Sequence, residues 1–124
     1  MKTCLLSLLL LLSYCFTSVA QSVLPKEDNS IRILSYNVRN GKGMDNTTDY
    51  QRVADVINRI APDVVAVQEL DSVTQRNNGV YSLGELAQRT LMHATYAGSI
   101  DYQGGKYGIG MLSKEKPVSY KRVP

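Results

Sequence analysis

The stretch that most constrains this chain is Ala61-Pro62-Asp63-Val64-Val65-Ala66-Val67-Gln68-Glu69-Leu70-Asp71. Its uninterrupted apolar run from Val64 to Val67, opened by a proline and closed by Gln68 and Glu69, predicts a strand buried on both faces that ends in a carboxylate at the rim of a core. Such a strand needs neighbours, and the upstream run Ile31 to Asn37 also ends on an oxygen-bearing polar side chain. Between the two, Tyr50, Val53, Ala54, Ile57 and Ile60 repeat at helical spacing, with Thr48 and Gln51 as a capping box and Pro62 as the stop. Strand, helix and strand make one βαβ unit. The carboxyl ends of its two parallel strands open on the same crevice, where open α/β sheets bind ligands. Asn37 and Glu69 are therefore expected to face one site.

The remaining segments read as smaller elements around that unit. Arg39 to Gly43 forms a flexible basic loop at the crevice, and Asp71 to Tyr81 is polar and contains Asn77-Asn78-Gly79, a loop pattern. Ser82 and Glu85 form a second capping box for a helix whose buried stripe is Leu83, Leu86, Ala87 and Leu91, weakened somewhat by Gly84. Thr95 to Ile100 reads as a strand, Gln103-Gly104-Gly105 as a turn, and Tyr107 to Ser113 as a further strand whose two glycines imply close packing or a bulge. Val118 to Val123 has the pattern of one more strand.

The first twenty residues carry an export signature. Lys2 is followed by a leucine-rich core, and Ser18-Val19-Ala20 places small residues where a signal peptidase cuts. The apolar core, about 13 residues, is shorter than the roughly 20 a spanning helix needs. Cys15 loosely fits a bacterial lipoprotein box, but bulky Tyr14 stands where such boxes carry a small residue, so lipid anchoring is not expected. Residues 1–20 are read as a cleaved signal, 21–30 as an exposed leader and 31–124 as the folded part. Both cysteines, Cys4 and Cys15, lie inside the signal, which excludes disulfides and cysteine metal sites from the mature chain. Cleavage removes one basic residue and no acidic one, so the formal net charge falls from +3 to +2. That is too small to argue by itself for nucleic acid or membrane.

The chemistry suggested at the crevice is that of a hard cation. Magnesium takes oxygen ligands in an octahedral shell and keeps several waters, so one or two carboxylates suffice and substrate phosphate supplies the rest. Glu69 fits that requirement. The carboxamide of Asn37 can donate to a phosphate oxygen or orient a catalytic group without adding negative charge. Arg39 and Arg76 are either phosphate contacts or solvated loop cations. Lys106 and Tyr107 reach the crevice only if the hairpin tip bends toward it. His93, the sole histidine, is expected at the end of a helix in a structural or surface role. Neither glycine cluster has the spacing of a phosphate-binding loop or a dinucleotide fingerprint.

Three motifs in order, Ser35-Tyr36-Asn37-Val38-Arg39, Pro62-Asp63-Val64-Val65-Ala66-Val67-Gln68-Glu69 and Tyr107-Gly108-Ile109-Gly110-Met111-Leu112-Ser113, resemble the first signature strands of the endonuclease/exonuclease/phosphatase superfamily. The resemblance covers the chain from Ile31 onward. It implies a four-layered α/β sandwich with a mixed sheet, hydrolysing phosphate esters with a divalent metal, Mg²⁺ or Mn²⁺. Carried over, it makes Glu69 the metal ligand and Asn37 the active-site asparagine beside it. Members of that superfamily continue through a strand bearing a His, an Asp-Xaa-Asn motif and a late Asp-His pair, none of which occurs here, so the chain reads as an N-terminal half. Arg39 stands where apurinic endonucleases carry an acidic residue, which argues against apurinic-site cleavage. The expectation is an exported phosphoesterase, periplasmic or extracellular, inactive as this segment alone. Its substrate could be nucleic acid, a phospholipid head group or a sugar phosphate, and no partner protein is implied. The alternatives are a phosphate-binding module or pseudoenzyme, and a non-functional gene fragment.

Overall fold

The computed structural model describes residues 23–121 and 123; the expected signal, its cysteines and the first two residues of the leader lie outside that range. Four strands form one mixed sheet in the order β1-β2-β4-β3: β1 Ile33–Asn37, β2 Val64–Ser72, β3 His93–Tyr102 and β4 Gly105–Ser113. β1 and β2 run parallel, from Ile33 opposite Val64 to Asn37 opposite Gln68, and β4 is antiparallel to both β2 and β3. Helix α1, Tyr50–Ile60, makes the expected βαβ crossover, and α2, Ser82–Thr90, lies beside it. The α/β class and the mixed sheet agree with the sequence reading. Among the described residues no helix is long and apolar enough to cross a membrane.

The core lies between the helices and one face of the sheet. Val53 and Ile57 of α1 and Leu83 and Leu86 of α2 close over Val65, Val67 and Leu70 of β2 and Leu112 of β4. Gly110 permits the closest approach: a Cβ there would stand 2.6 Å from a Leu83 methyl and 3.0 Å from a Leu70 methyl. The close packing expected of the β4 glycines is thus visible. Ala61 ends α1 in the left-handed conformation, its N–H bonded to the carbonyl of Ile57, and buried Pro62 follows. Gln103 and Gly104, with φ of 46° and 80°, join β3 to β4 in the two-residue turn that suits a twisted hairpin.

Several expectations are corrected. β2 is not covered on both faces among the described residues: Val65 and Val67 are buried while Ala66 between them is exposed. The strand also does not stop at Glu69 but runs on to Ser72, because Asp71 and Ser72 keep their ladder partners Tyr107 and Lys106 on β4. Asp49 and not Thr48 caps α1, accepting from the Arg52 N–H at 3.0 Å. Ser82 lies inside α2, after Tyr81, and its hydroxyl serves side chains elsewhere instead of capping. Residues 118–121 form no strand; Val118 is fully exposed and finds no ladder partner among the described residues. His93 opens β3, exposed, where a helix end was expected.

The leader is exposed, yet it is tied at one point. Asp63, at the start of β2, accepts from the Arg32 N–H at 2.8 Å and pairs with Lys26 at 2.7 Å and Lys114 at 3.3 Å. The Lys26 hydrogen bond and the Arg32 N–H hold its carboxyl well below the usual range, against the opposing effect of desolvation. This clasp gathers the leader, the entry to β1 and the exit from β4 at the end of the sheet away from the crevice.

Candidate active site

The site begins with an irregularity in β2. Val67 pairs with Gly110 but Leu70 pairs with Gly108, so Gln68 and Glu69 together stand opposite one residue of β4. In an even ladder the alternation that buries Val65 and Val67 would bury Glu69 as well. The bulge gives Leu70 that core position, and Glu69 takes φ of 59°, turning its carboxylate out to the rim. There Asn37, at the carboxyl end of β1, donates its amide to Glu69 Oε1 at 2.7 Å. The other end of the carboxamide accepts from the Arg39 N–H at 3.0 Å, which fixes which atom faces the acid. The end of β1 and the bulge of β2 thus meet, and Glu69 Oε2 has no hydrogen-bond partner among the described residues.

Beneath this pair lies a buried polar hub that sequence reasoning missed. Asp71, with no solvent exposure, receives Arg76 Nε at 2.6 Å and Nη2 at 2.7 Å, Asn40 Nδ2 at 2.9 Å and Thr74 Oγ1 at 2.9 Å. Burial pushes its carboxyl up, but the hydrogen bonds from Arg76 and Thr74 together with the Arg76 charge outweigh it, and the net direction is down. Reciprocally, the Asp71 hydrogen bond holds the Arg76 guanidinium above its ordinary value. Asn40 closes a ring by accepting from the Asp71 N–H at 3.3 Å and from the Ser82 hydroxyl at 3.0 Å. Ser82 has one proton, given to Asn40, so Tyr50 donates its own hydroxyl to Ser82 at 2.9 Å. The only signal for this hub in the sequence is a cluster of Asp, Thr, Arg and Asn from the last residues of β2 onward, from Asp71 to Asn77, which reads equally well as a loop.

An open cleft of about 430 Å³ lies above the hub. Glu69, Arg39, Lys42 and Arg76 line it, with Tyr102 and Tyr107 as an aromatic wall. The guanidinium carbon of Arg76 sits 4.5 Å from the centre of the Tyr102 ring and 5.4 Å from that of Tyr107. The bidentate fork of Arg76 is spent on Asp71; Nη1 is the edge left toward the cleft, 3.5 Å from the Tyr102 hydroxyl. Tyr107 stands close enough to Glu69 that its phenol is pushed up, first by burial and then by that negative charge. Lys106 pairs with Asp101 and does not line the cleft. His93 is at the opposite end of β3 from Tyr102. Asn37 lines a second cleft of about 390 Å³, which shares Arg39 and Lys42 with the first.

Does this donor set fit a hard divalent cation? Among the described residues no three acidic, histidine or cysteine side chains converge. Asp71 is fully engaged, so among the described residues Glu69 is the single carboxylate offered to the cleft. One carboxylate with a free oxygen, water and ligand phosphate is a set Mg²⁺ accepts and Zn²⁺ does not favour. The fit is to a weakly held ion completed by ligand oxygens.

The arrangement is a mixed α/β sheet in which the asparagine at the end of β1 meets a carboxylate at a bulge in β2, beside a cleft lined by cations. The chain belongs to the Endonuclease/Exonuclease/phosphatase family, whose sequence pattern matches residues 34–124. It is similar in structure to the crystal structure of an endonuclease/exonuclease/phosphatase from Beutenbergia cavernae, with a TM-score of 0.54 and 20% identity over 73% of this chain and 27% of that one. A family protein from Leptotrichia buccalis gives a TM-score of 0.55 and 18% identity over 70% of this chain and 39% of that one. These likenesses concern the fold, and the chain spans well under half the length of either structure. No curated protein sequence matches it.

Proposed function

We propose that the chain is the N-terminal part of an exported, divalent-metal-dependent hydrolase of phosphate esters, with Glu69 as metal ligand and Asn37 as the residue that orients it. The observation that carries this reading is the bulge at Gln68 and Glu69, which takes a carboxylate out of the core and sets it against Asn37 among cations. Family membership supports the reaction class. The reaction would be in-line attack of water on phosphorus, in which the new P–O bond forms as the ester P–O bond breaks and the alcohol leaves carrying a proton from the water. A cation at Glu69, Mg²⁺ or Mn²⁺, would polarise a phosphoryl oxygen and offset the charge that develops there. Asn37 holds Glu69 in one orientation through its amide. Arg39 and Arg76 attract the phosphate-bearing substrate into the cleft, and the Nη1 edge of Arg76 positions the reacting phosphate. Tyr107 narrows the cleft on the side facing Glu69.

A second reading, a phosphate-binding module without turnover, is favoured by one observation: among the described residues no histidine lines the cleft, and no carboxylate other than Glu69 does. Loss of a general base alone lowers a rate by about 10²- to 10⁴-fold. The test is an Mg²⁺ titration and a phosphodiester hydrolysis assay on the parent chain, Glu69→Gln and Asn37→Ala. Glu69→Gln should abolish Mg²⁺ binding with the melting curve unchanged, and Asn37→Ala should weaken it less. Retained Mg²⁺ affinity in Glu69→Gln, or a sharply lowered melting temperature with binding intact, sinks the metal assignment. Mg²⁺ and phosphate binding without turnover selects the module.

A further inference from the structure

Lys26, Arg52, Arg76, Arg89, Lys106 and Lys114 each have a carboxylate within ion-pair distance. Among the described residues Arg32, Arg39, Lys42, Arg59, Lys116 and Lys121 are cations without an ion pair, and of these Arg39 and Lys42, three residues apart on one turn, alone line the cleft. Among the described residues the guanidinium of Arg39 makes one hydrogen-bond approach, 4.0 Å to the Met44 sulfur. Two like charges held at one rim repel each other, and an anion between them relieves that repulsion.

Their turn is strained and firmly pinned, not a loose loop. Arg39, Asn40 and Gly41 have successive φ of 46°, 54° and 76°. For the two non-glycine residues this is an unfavourable conformation that persists only where the surroundings over-determine it. Here they do. The Asn40 carboxamide is clamped to Asp71 and Ser82. Gly41 packs so tightly on Tyr50 that a Cβ would stand 2.7 Å from the ring. The main chain of Lys42 is fixed by a bridge to Thr48 and by its N–H to the Arg39 carbonyl at 2.9 Å. The same Asp71 that clamps Asn40 also grips Arg76, so one buried carboxylate sets the positions of both cation-bearing loops.

We propose that Arg39 and Lys42 form a second anion subsite, distinct from the Glu69 centre, which takes a second phosphate group carried by the same small phosphoester ligand. The inference rests on the reading of the cleft as a phosphoester site and adds Lys42 to it. Arg39 offers a planar fork suited to two phosphate oxygens, and Lys42 a point charge that follows the group as it settles. A cleft of about 430 Å³ suits a small ligand.

The test is calorimetric titration of the intact chain with inorganic pyrophosphate and with inorganic phosphate, in chelator so that no metal takes part. Pyrophosphate should bind about tenfold tighter than phosphate, and Lys42→Gln should lose about tenfold in affinity for either anion, since without metal both settle at the Arg39–Lys42 subsite. Lys116→Gln, an exposed cation outside the cleft, should change neither. Equal affinity for the two anions, an unaffected Lys42→Gln, or an equal loss in Lys116→Gln overturns the inference. Glu69→Gln separates it from the preceding proposal: in chelator this variant should keep the pyrophosphate preference even though it fails an Mg²⁺ titration. Failure of the parent chain to bind Mg²⁺ defeats the metal reading without touching this result. A 5′-phosphorylated dinucleotide and a bis-phosphorylated polyol then distinguish the two sources of such a ligand: Lys42-dependent affinity identifies the source, and its absence for both overturns the proposal.

Discussion

Asp71 and Arg76 are joined by two short parallel hydrogen bonds, 2.6 and 2.7 Å, between a carboxylate with no solvent exposure and a guanidinium that is 41% exposed. Asp71 sits two residues beyond Glu69 in the chain and beneath the cleft, so the geometry of the surface cations depends on a charge solvent does not reach. Removing the acid strands Arg76, Asn40 and Thr74 together. Asp71→Ala should therefore cost roughly 2–4 kcal/mol, below the top of the range for a broken buried pair because Arg76 keeps some solvent. Urea unfolding measures it, and a loss under about 1 kcal/mol would show that the hub rearranges around water.

Acid should weaken the fold through identifiable groups. The carboxyls of Asp71 and Asp63 are both held below their ordinary values in the folded chain. A depressed carboxyl contributes stability that is fully present above its unfolded value, near 3.9, and is lost as pH falls through the folded value. The urea midpoint should stay level down to about pH 5 and decline from about pH 4 downward. Asp63→Asn should flatten part of that decline. A midpoint unchanged down to about pH 2 would mean that the clasp and the hub contribute no net charge coupling.

The left-handed backbone at Glu69 predicts an unusual ranking of substitutions. With φ of 59° the position penalises every residue with a Cβ. Glu69→Gly should be more stable than Glu69→Ala by about 1 kcal/mol, the reverse of the order at an ordinary strand position. Thermal or urea unfolding of the two variants decides it. If alanine is the more stable, the bulge is not held in that conformation in solution.

Opposite the helices the sheet presents Ile33, Ile109 and Met111, which are 71%, 52% and 39% exposed. With Val64 and Ala66 between them, these side chains make an apolar face that nothing among the described residues covers. The chain should self-associate as its concentration rises, and Ile109→Lys should shift it toward monomer. Sedimentation at two or more concentrations is the measurement. A parent chain that remains monomeric throughout would show that this face tolerates water.

Much of this architecture was legible because it is local. The apolar run Val64 to Val67, the periodicity of α1, the stop at Pro62 and the Gln103-Gly104 turn each carry their own signal within a few residues. That β1 and β2 run parallel and point to one side followed from the βαβ pattern, but the bulge that turns Glu69 out of the core to meet Asn37 did not. What could not be read depends on distant partners. Asp71 belongs to a strand because Tyr107 pairs with it and is buried because Asn40 and Arg76 satisfy it. Ser82 and Thr48 both carry capping patterns, but Tyr50 and Asn40 engage Ser82, and Asp49 offers α1 a better-placed acceptor. Val118 to Val123 has strand composition without a strand to join.

The extra residue in β2 also fixes the phase of the chain. Upstream of it odd-numbered positions such as Val65 and Val67 enter the core; at Leu70 an even-numbered one does. Deleting either Gln68 or Glu69 would leave nearly the same composition, yet it would put Leu70 directly after the remaining polar residue and rejoin the ladder without a slip. The remaining polar residue would then take the alternation dictated by Val67, and no left-handed residue would turn a carboxylate outward. Loss of a single codon at this point is thus a different kind of change from a substitution: the sheet can close up and stay folded while the rim loses its acid. Relatives that align with a gap here should be sorted apart from those with a substituted Glu69, since only the latter keep the backbone that could host the acid again.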